Sequence, residues 1–144
     1  MTDRPLLTAQ EQQFLAQAIA DVEKQTTGEI KIFLEPECPT DPYVQAQKKF
    51  FELNLHQTRQ RTGVLIYVAY QSHHFAVLAD TGLHHQLPDG FWNNLRDELT
   101  EQFRNKPLAE ALHHAVTRCG AALMRYAPAA PSNPDELSNR VEIV

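Results

Sequence analysis

Three short stretches carry the residue types that could do chemistry: Gly28-Glu29, Arg61-Thr62-Gly63 and Asp80-Thr81-Gly82. The last of these follows an apolar run at 75–79, which four polar residues join to the longest uninterrupted apolar run, 63–70. A carboxylate where a core strand meets a glycine turn can hold a cation or polar ligand, or can simply hydrogen-bond its own turn. Hard cations such as Ca²⁺ and Mg²⁺ take oxygen ligands, about 6–8 of them for Ca²⁺. Glu29 and Asp80 alone are too few; turn carbonyls, waters, or Asp135 and Glu136 of the C-terminal segment would have to complete a shell. Arg61, Thr81, Gly82 and His84 are the neighbours placed to touch a phosphate or another ligand.

These stretches meet only if the intervening elements bring them together. Thr8-Ala9-Gln10-Glu11 is a capping box, and Phe14, Leu15, Ala18, Ile19 and Val22 then recur at helical spacing. That helix should end near Thr26-Thr27-Gly28, with the glycine in a left-handed cap. Ile30, Ile32 and Leu34 alternate with Glu29, Lys31 and Glu35, which predicts a half-exposed edge strand and an exposed Glu29. Asp41-Pro42 supplies an N-cap and a first-turn proline for a second helix reaching about Gln57 and burying Val44, Phe50, Phe51 and Leu55.

Residues 64–70 have no polar interruption, as expected of a central strand covered on both faces, and 75–79 returns antiparallel. Phe91, Leu95, Leu99 and Phe103 mark a third helix. Pro107 opens a fourth, with Leu108, Leu112, Ala115, Cys119 and Leu123 inward, ended by Ala127-Pro128. The pattern is that of an α/β domain with a small mixed sheet of three to four strands and about four helices. Residues 1–7 form an N-terminal arm, 8–127 the domain, and 128–144 a proline-rich tail whose last residues, 141–144, add a short strand or dock.

A right-handed crossover makes the first two strands parallel and sets the third against them. The starts of the first and second strands and the end of the third then share one rim, where Glu29, Arg61 and Asp80 converge.

Composition narrows the function. The chain has 144 residues and a net charge of −5 with no basic cluster, which argues against nucleic acid. No stretch approaches the ~20 apolar residues that span a bilayer, and the N-terminus has no apolar signal core, so no membrane insertion and a cytoplasmic location are expected. Cys38 and Cys119 read as reduced thiols, the latter as core filler. No organic cofactor motif is present. The chain lacks a Cys-x5-Arg loop, an Asp-x-Asp-x-Thr motif and a Gly-rich Lys-Ser/Thr loop, so any phosphate-ester hydrolysis would have to be metal-assisted. His73-His74, His84-His85 and His113-His114 are adjacent pairs without ligand spacing and read as solvated surface, His84 and His85 lying closest to Asp80.

Thr26-Thr27-Gly28-Glu29-Ile30, Gly63-Val64-Leu65-Ile66-Tyr67-Val68, Ala79-Asp80-Thr81-Gly82-Leu83, Phe91-Trp92, a late helix around Gly120 and the tail 135–141 follow in an order that resembles the TPM domain, also called TPM phosphatase. The resemblance covers nearly the whole chain and looks like the family's short soluble subgroup, without signal peptide or membrane anchor. It implies a three-layer α/β/α sandwich, a weak divalent-cation site in some members, and acid phosphatase activity in at least one branch. Asp80 stands where the family has aspartate, so its role carries over best. Ala79 and Thr81 replace the family's glycine and lysine, and Asp135, Ser138 and Arg140 depart from its tail. Two expectations result: a binding module, with an unidentified protein partner and a weak Ca²⁺ or Mg²⁺ site at the rim, or a metal-assisted acid phosphatase acting on phosphomonoesters.

Overall fold

A computed structural model describes residues 5–129 and 141–144. The elements are α1 (Ala9–Glu23), β1 (Glu29–Glu35), α2 (Pro42–Glu52), a 3-10 turn (Leu55–Gln57), β2 (Gly63–Ala69), β3 (His74–Ala79), α3 (Thr81–His84), α4 (Phe91–Asn105), α5 (Leu108–Tyr126) and β4 (Glu142–Ile143). The sheet order is β3-β2-β1-β4, with β1 parallel to β2 and β4 and with β3 antiparallel to β2. Residues of α1, α4 and α5 pack with Ile30, Ile32, Leu34, Val64 and Ile66 on one face of the sheet. On the other face, Ala46 and Phe50 of α2 pack with Phe33, Leu65 and Tyr67. This is a three-layer α/β/α sandwich around a mixed four-stranded sheet.

Local chemistry sets the helix starts. Thr8 and Glu11 form the capping box, and Asp41 accepts the N–H groups of Tyr43 and Val44 ahead of Pro42. Asn54, in the left-handed region at φ 62°, stops α2 short of the expected Gln57 and starts the 3-10 turn. The α2 face is also rotated from the apolar reading. Gln45, Ala46 and Phe50 are buried, whereas Val44 and Phe51 are exposed, as is Phe14 on α1.

Gln45 turns inward because its side-chain amide donates to Glu35 Oε2 at 2.9 Å, and the hydroxyl of the fully buried Tyr67 donates to the same oxygen. Burial first, then Glu35 and Cys38, raises the Tyr67 hydroxyl far above its ordinary range. A buried carboxylate is tolerated when its lone pairs are engaged, and here two donors meet it.

β1 is not the half-exposed edge that alternation implies; all seven of its residues are buried. β4 pairs along its outer side, and Lys31 Nζ reaches Glu142 Oε1 at 3.0 Å, joining residues 111 apart in sequence. Nearer its start, Glu23 at the end of α1 accepts the Ile30 N–H at 3.0 Å. Nor does Gly28 act as a left-handed cap, since the only glycine at positive φ is Gly90. Gly28 is required for closeness: an added Cβ would lie 2.3 Å from Leu123 Cδ2 and 2.9 Å from the Thr62 carbonyl oxygen.

Between α4 and α5, Glu98 meets His114 Nε2 and, at 3.1 Å, Arg118 Nε, so His114 is not simply solvated surface. Burial alone would raise the Glu98 carboxyl, but the His114 hydrogen bond and the Arg118 charge outweigh it and hold the carboxyl below its usual value. A lowered carboxylate contributes stability above its unfolded pKa, and that contribution is lost as the pH falls through the folded pKa. Because Glu98 is one-third exposed, solvent screening limits the contribution to under about 1 kcal/mol. Thermal melts of Glu98→Gln should therefore fall slightly below wild type at neutral pH and converge with it once the native carboxyl is protonated.

Candidate functional site

The right-handed crossover assembles the rim as expected. Glu29 is in register with Gly63, and the Asp80 N–H donates to the Gly63 carbonyl at 2.9 Å, so Glu29, Gly63 and Asp80 lie in one row across three strands. The closest contact in the row joins β2's approach to β3's end. Arg61 Nε meets Asp80 Oδ2 at 2.6 Å and Arg61 Nη2 meets Asp80 Oδ1 at 2.9 Å, a two-pronged fork. Asp80 Oδ1 also accepts the Thr81 N–H at 2.7 Å as the N-cap of α3.

The Asp80 side chain is 4% exposed and that of Arg61 49%, so the carboxylate is enclosed while its partner faces water. The hydrogen bond that the guanidinium donates to Asp80, and then the charge of Asp80, raise Arg61 above its ordinary range. Arg61 adopts φ 57°, a left-handed conformation uncommon for a side chain larger than glycine. That conformation is held at both ends: its N–H donates to the Thr58 carbonyl at 3.2 Å, and its carbonyl accepts the Gly82 N–H at 2.7 Å.

The structure thus brings Arg61, Asp80, Thr81 and Gly82 together and separates the rest. Glu29 is buried, not exposed as alternation predicts, and lies two strands from Asp80, roughly 10 Å by strand spacing. The 3-10 turn lies over Gly63 between them, since a Cβ there would meet the Leu55 carbonyl oxygen at 2.5 Å. His84 turns to Trp92, whose indole N–H donates to His84 Nδ1 at 3.0 Å beneath stacked rings. Asp135 and Glu136 lie outside the described residues. Among the described residues, no three His, Cys, Asp or Glu side chains gather where a metal ion would be held.

Sequence reasoning placed Arg61 at this rim as a ligand contact and missed it as the partner of Asp80. It also missed Glu23, whose signal was an acid continuing the buried Leu15, Ile19 series at i+4.

The geometry defines a small α/β/α domain whose rim carries an enclosed carboxylate under a half-exposed guanidinium. The sequence matches the TPM domain over residues 1–122, and the chain belongs to that family. It is similar over 99% of both chains to the NMR structure of the BA42 protein from the psychrophilic bacterium Bizionia argentinensis, at 32% identity and a TM-score of 0.89. The N-terminal domain of the cg2496 protein from Corynebacterium glutamicum shares the fold at 10% identity and a TM-score of 0.66, over 94% of this chain and 93% of that one. No curated protein matches at comparable significance. No described helix is long and apolar enough to cross a membrane.

Gly82 tests how tightly the rim is built. Its φ is ordinary, but a Cβ would fall 1.9 Å from the Gln60 carbonyl oxygen and 2.6 Å from that of Arg61. Gly82→Ala should therefore lose roughly 1–3 kcal/mol in urea unfolding, the range for a methyl forced into packed structure.

Proposed function

We propose that this TPM domain is a binding module whose rim carboxylate exchanges between Arg61 and a weakly held Ca²⁺ or Mg²⁺. One observation carries the reading: Asp80 is enclosed, while the group that neutralises it is half exposed. A divalent cation entering here takes the place of the guanidinium. Affinity is then low, because the cation must displace two charge-assisted hydrogen bonds before it gains oxygens. Turn carbonyls and water complete its shell; Glu29 senses it from across β2, and Asp135 and Glu136 are the tail acids that would add ligands. The same exchange makes a poor catalyst, since a reacting phosphate needs rigidly held groups in several roles at once.

The test is a ¹⁵N-HSQC titration with CaCl₂ and MgCl₂ on wild type, Asp80→Ala and Arg61→Gln. Shifts should cluster at Glu29, Arg61, Gly63, Asp80 and Leu83, vanish in Asp80→Ala, and occur at lower cation concentration in Arg61→Gln. A flat wild-type titration would leave Asp80 as a turn former. Parallel assays with p-nitrophenyl phosphate should show no turnover at acidic to neutral pH; turnover lost in Asp80→Ala would favour the metal-assisted phosphatase instead.

A further inference from the structure

The two edges of the sheet are treated differently. The chain's own β4 covers the β1 side, whereas β3 closes the sheet on the other side with no strand paired beyond it among the described residues. Since Asp80 and Gly63 are bonded partners, the bonded pairs of the β2–β3 ladder are Leu65–Leu78, Tyr67–Ala76 and Ala69–His74. The N–H and C=O groups of Phe75, Val77 and Ala79 therefore point outward.

Proteins generally blunt such an edge with charge, proline or a bulge. Here residues 75–79 are all apolar and half-buried, and they lie along a groove of about 540 Å³. The start of α2, at Pro42 and Tyr43, forms one wall and α4, at Trp92, Arg96 and Leu99, forms the other.

We propose that this groove is a strand-addition site for an extended segment of another protein, apolar at alternate positions and acidic where it passes Arg96. An outward row of backbone donors and acceptors is complemented by an extended backbone, and the pockets between alternate residues set specificity. The segment's side chains on one face lie against α4 and those on the other against α2. Arg96 supplies an exposed guanidinium whose ion-pair partner among the described residues is the exposed Asp97, at 3.6 Å. The one acid of the lining, Asp41, is already engaged in capping Tyr43 and Val44.

Glu142–Ile143 of the chain's own C-terminal segment pair with β1, on the far side of the sheet. The proposal deepens the binding-module reading and needs no cation at the rim.

The experiment uses the full chain without divalent cations and a capped synthetic peptide of alternating valine and threonine carrying one central glutamate. In hydrogen exchange and ¹⁵N-HSQC, the amides of Phe75, Val77 and Ala79 should gain about tenfold protection or more, while Ala76 and Leu78 stay unchanged. A peptide N-methylated at its edge amides should not bind. Val77→Pro, which removes an outward donor and spares the β2 ladder, should abolish binding. Arg96→Glu, a surface change that leaves folding intact, should weaken binding several-fold. The proposal is overturned by a flat titration at millimolar peptide, by binding that survives N-methylation or Val77→Pro, or by edge protection in free protein that grows with its own concentration. That last result would assign the edge to a second copy. Because no cation is present, each of these outcomes is separate from the rim titration.

Discussion

The rim depends on one constraint, the fork of Arg61 onto Asp80. It ties the residue that feeds β2 to the residue that ends β3 and caps α3, so three chain segments are fixed by one ion pair. Arg61 must take a left-handed backbone to direct both its guanidinium and its carbonyl across the rim, and Gly82 must lack a Cβ for that carbonyl to approach. The glycine, the strained arginine and the buried acid form a single device. Each is explicable only by the other two.

The same economy of long-range polar pairs runs through the sheet. Lys31 finds Glu142, Glu35 finds Gln45 and Tyr67, and Glu23 accepts the Ile30 N–H at the start of β1. A purely apolar β1 would bury as well, but paired charges fix which neighbour lies where, since an unpaired buried charge is costly. The α2 face is therefore partly polar, while the face under α1, α4 and α5 is close-packed apolar surface. Gly120 illustrates the latter: a Cβ there would press on Val22 Cγ2 at 2.6 Å, so α5 and α1 touch almost backbone to side chain.

What could be read in the sequence is what local physics decides. The capping box at Thr8, the Asp41-Pro42 start, the buried run at β2 and the β2–β3 hairpin all follow from spacing and turn chemistry. Handedness of the crossover then places Glu29, Arg61 and Asp80 on one rim. What escaped depended on partners far away in the chain. Alternation in β1 pointed to an exposed edge because nothing local announces that Lys31 pairs with Glu142, and apolarity made Val44 and Phe51 better core candidates than Gln45, which Glu35 draws inward. Family membership fixes the fold, whereas the pairing of Asp80 with Arg61 is visible only in the three-dimensional structure.

Arg61 and Asp80 act as one unit in this fold. Urea unfolding of Arg61→Gln, Asp80→Ala and the double variant tests it most directly, because residues sharing one interaction are non-additive. Each single change should lower the midpoint, and the double variant should unfold no earlier than the weaker of the two. Fully additive losses would contradict it, showing that the two residues support the rim independently.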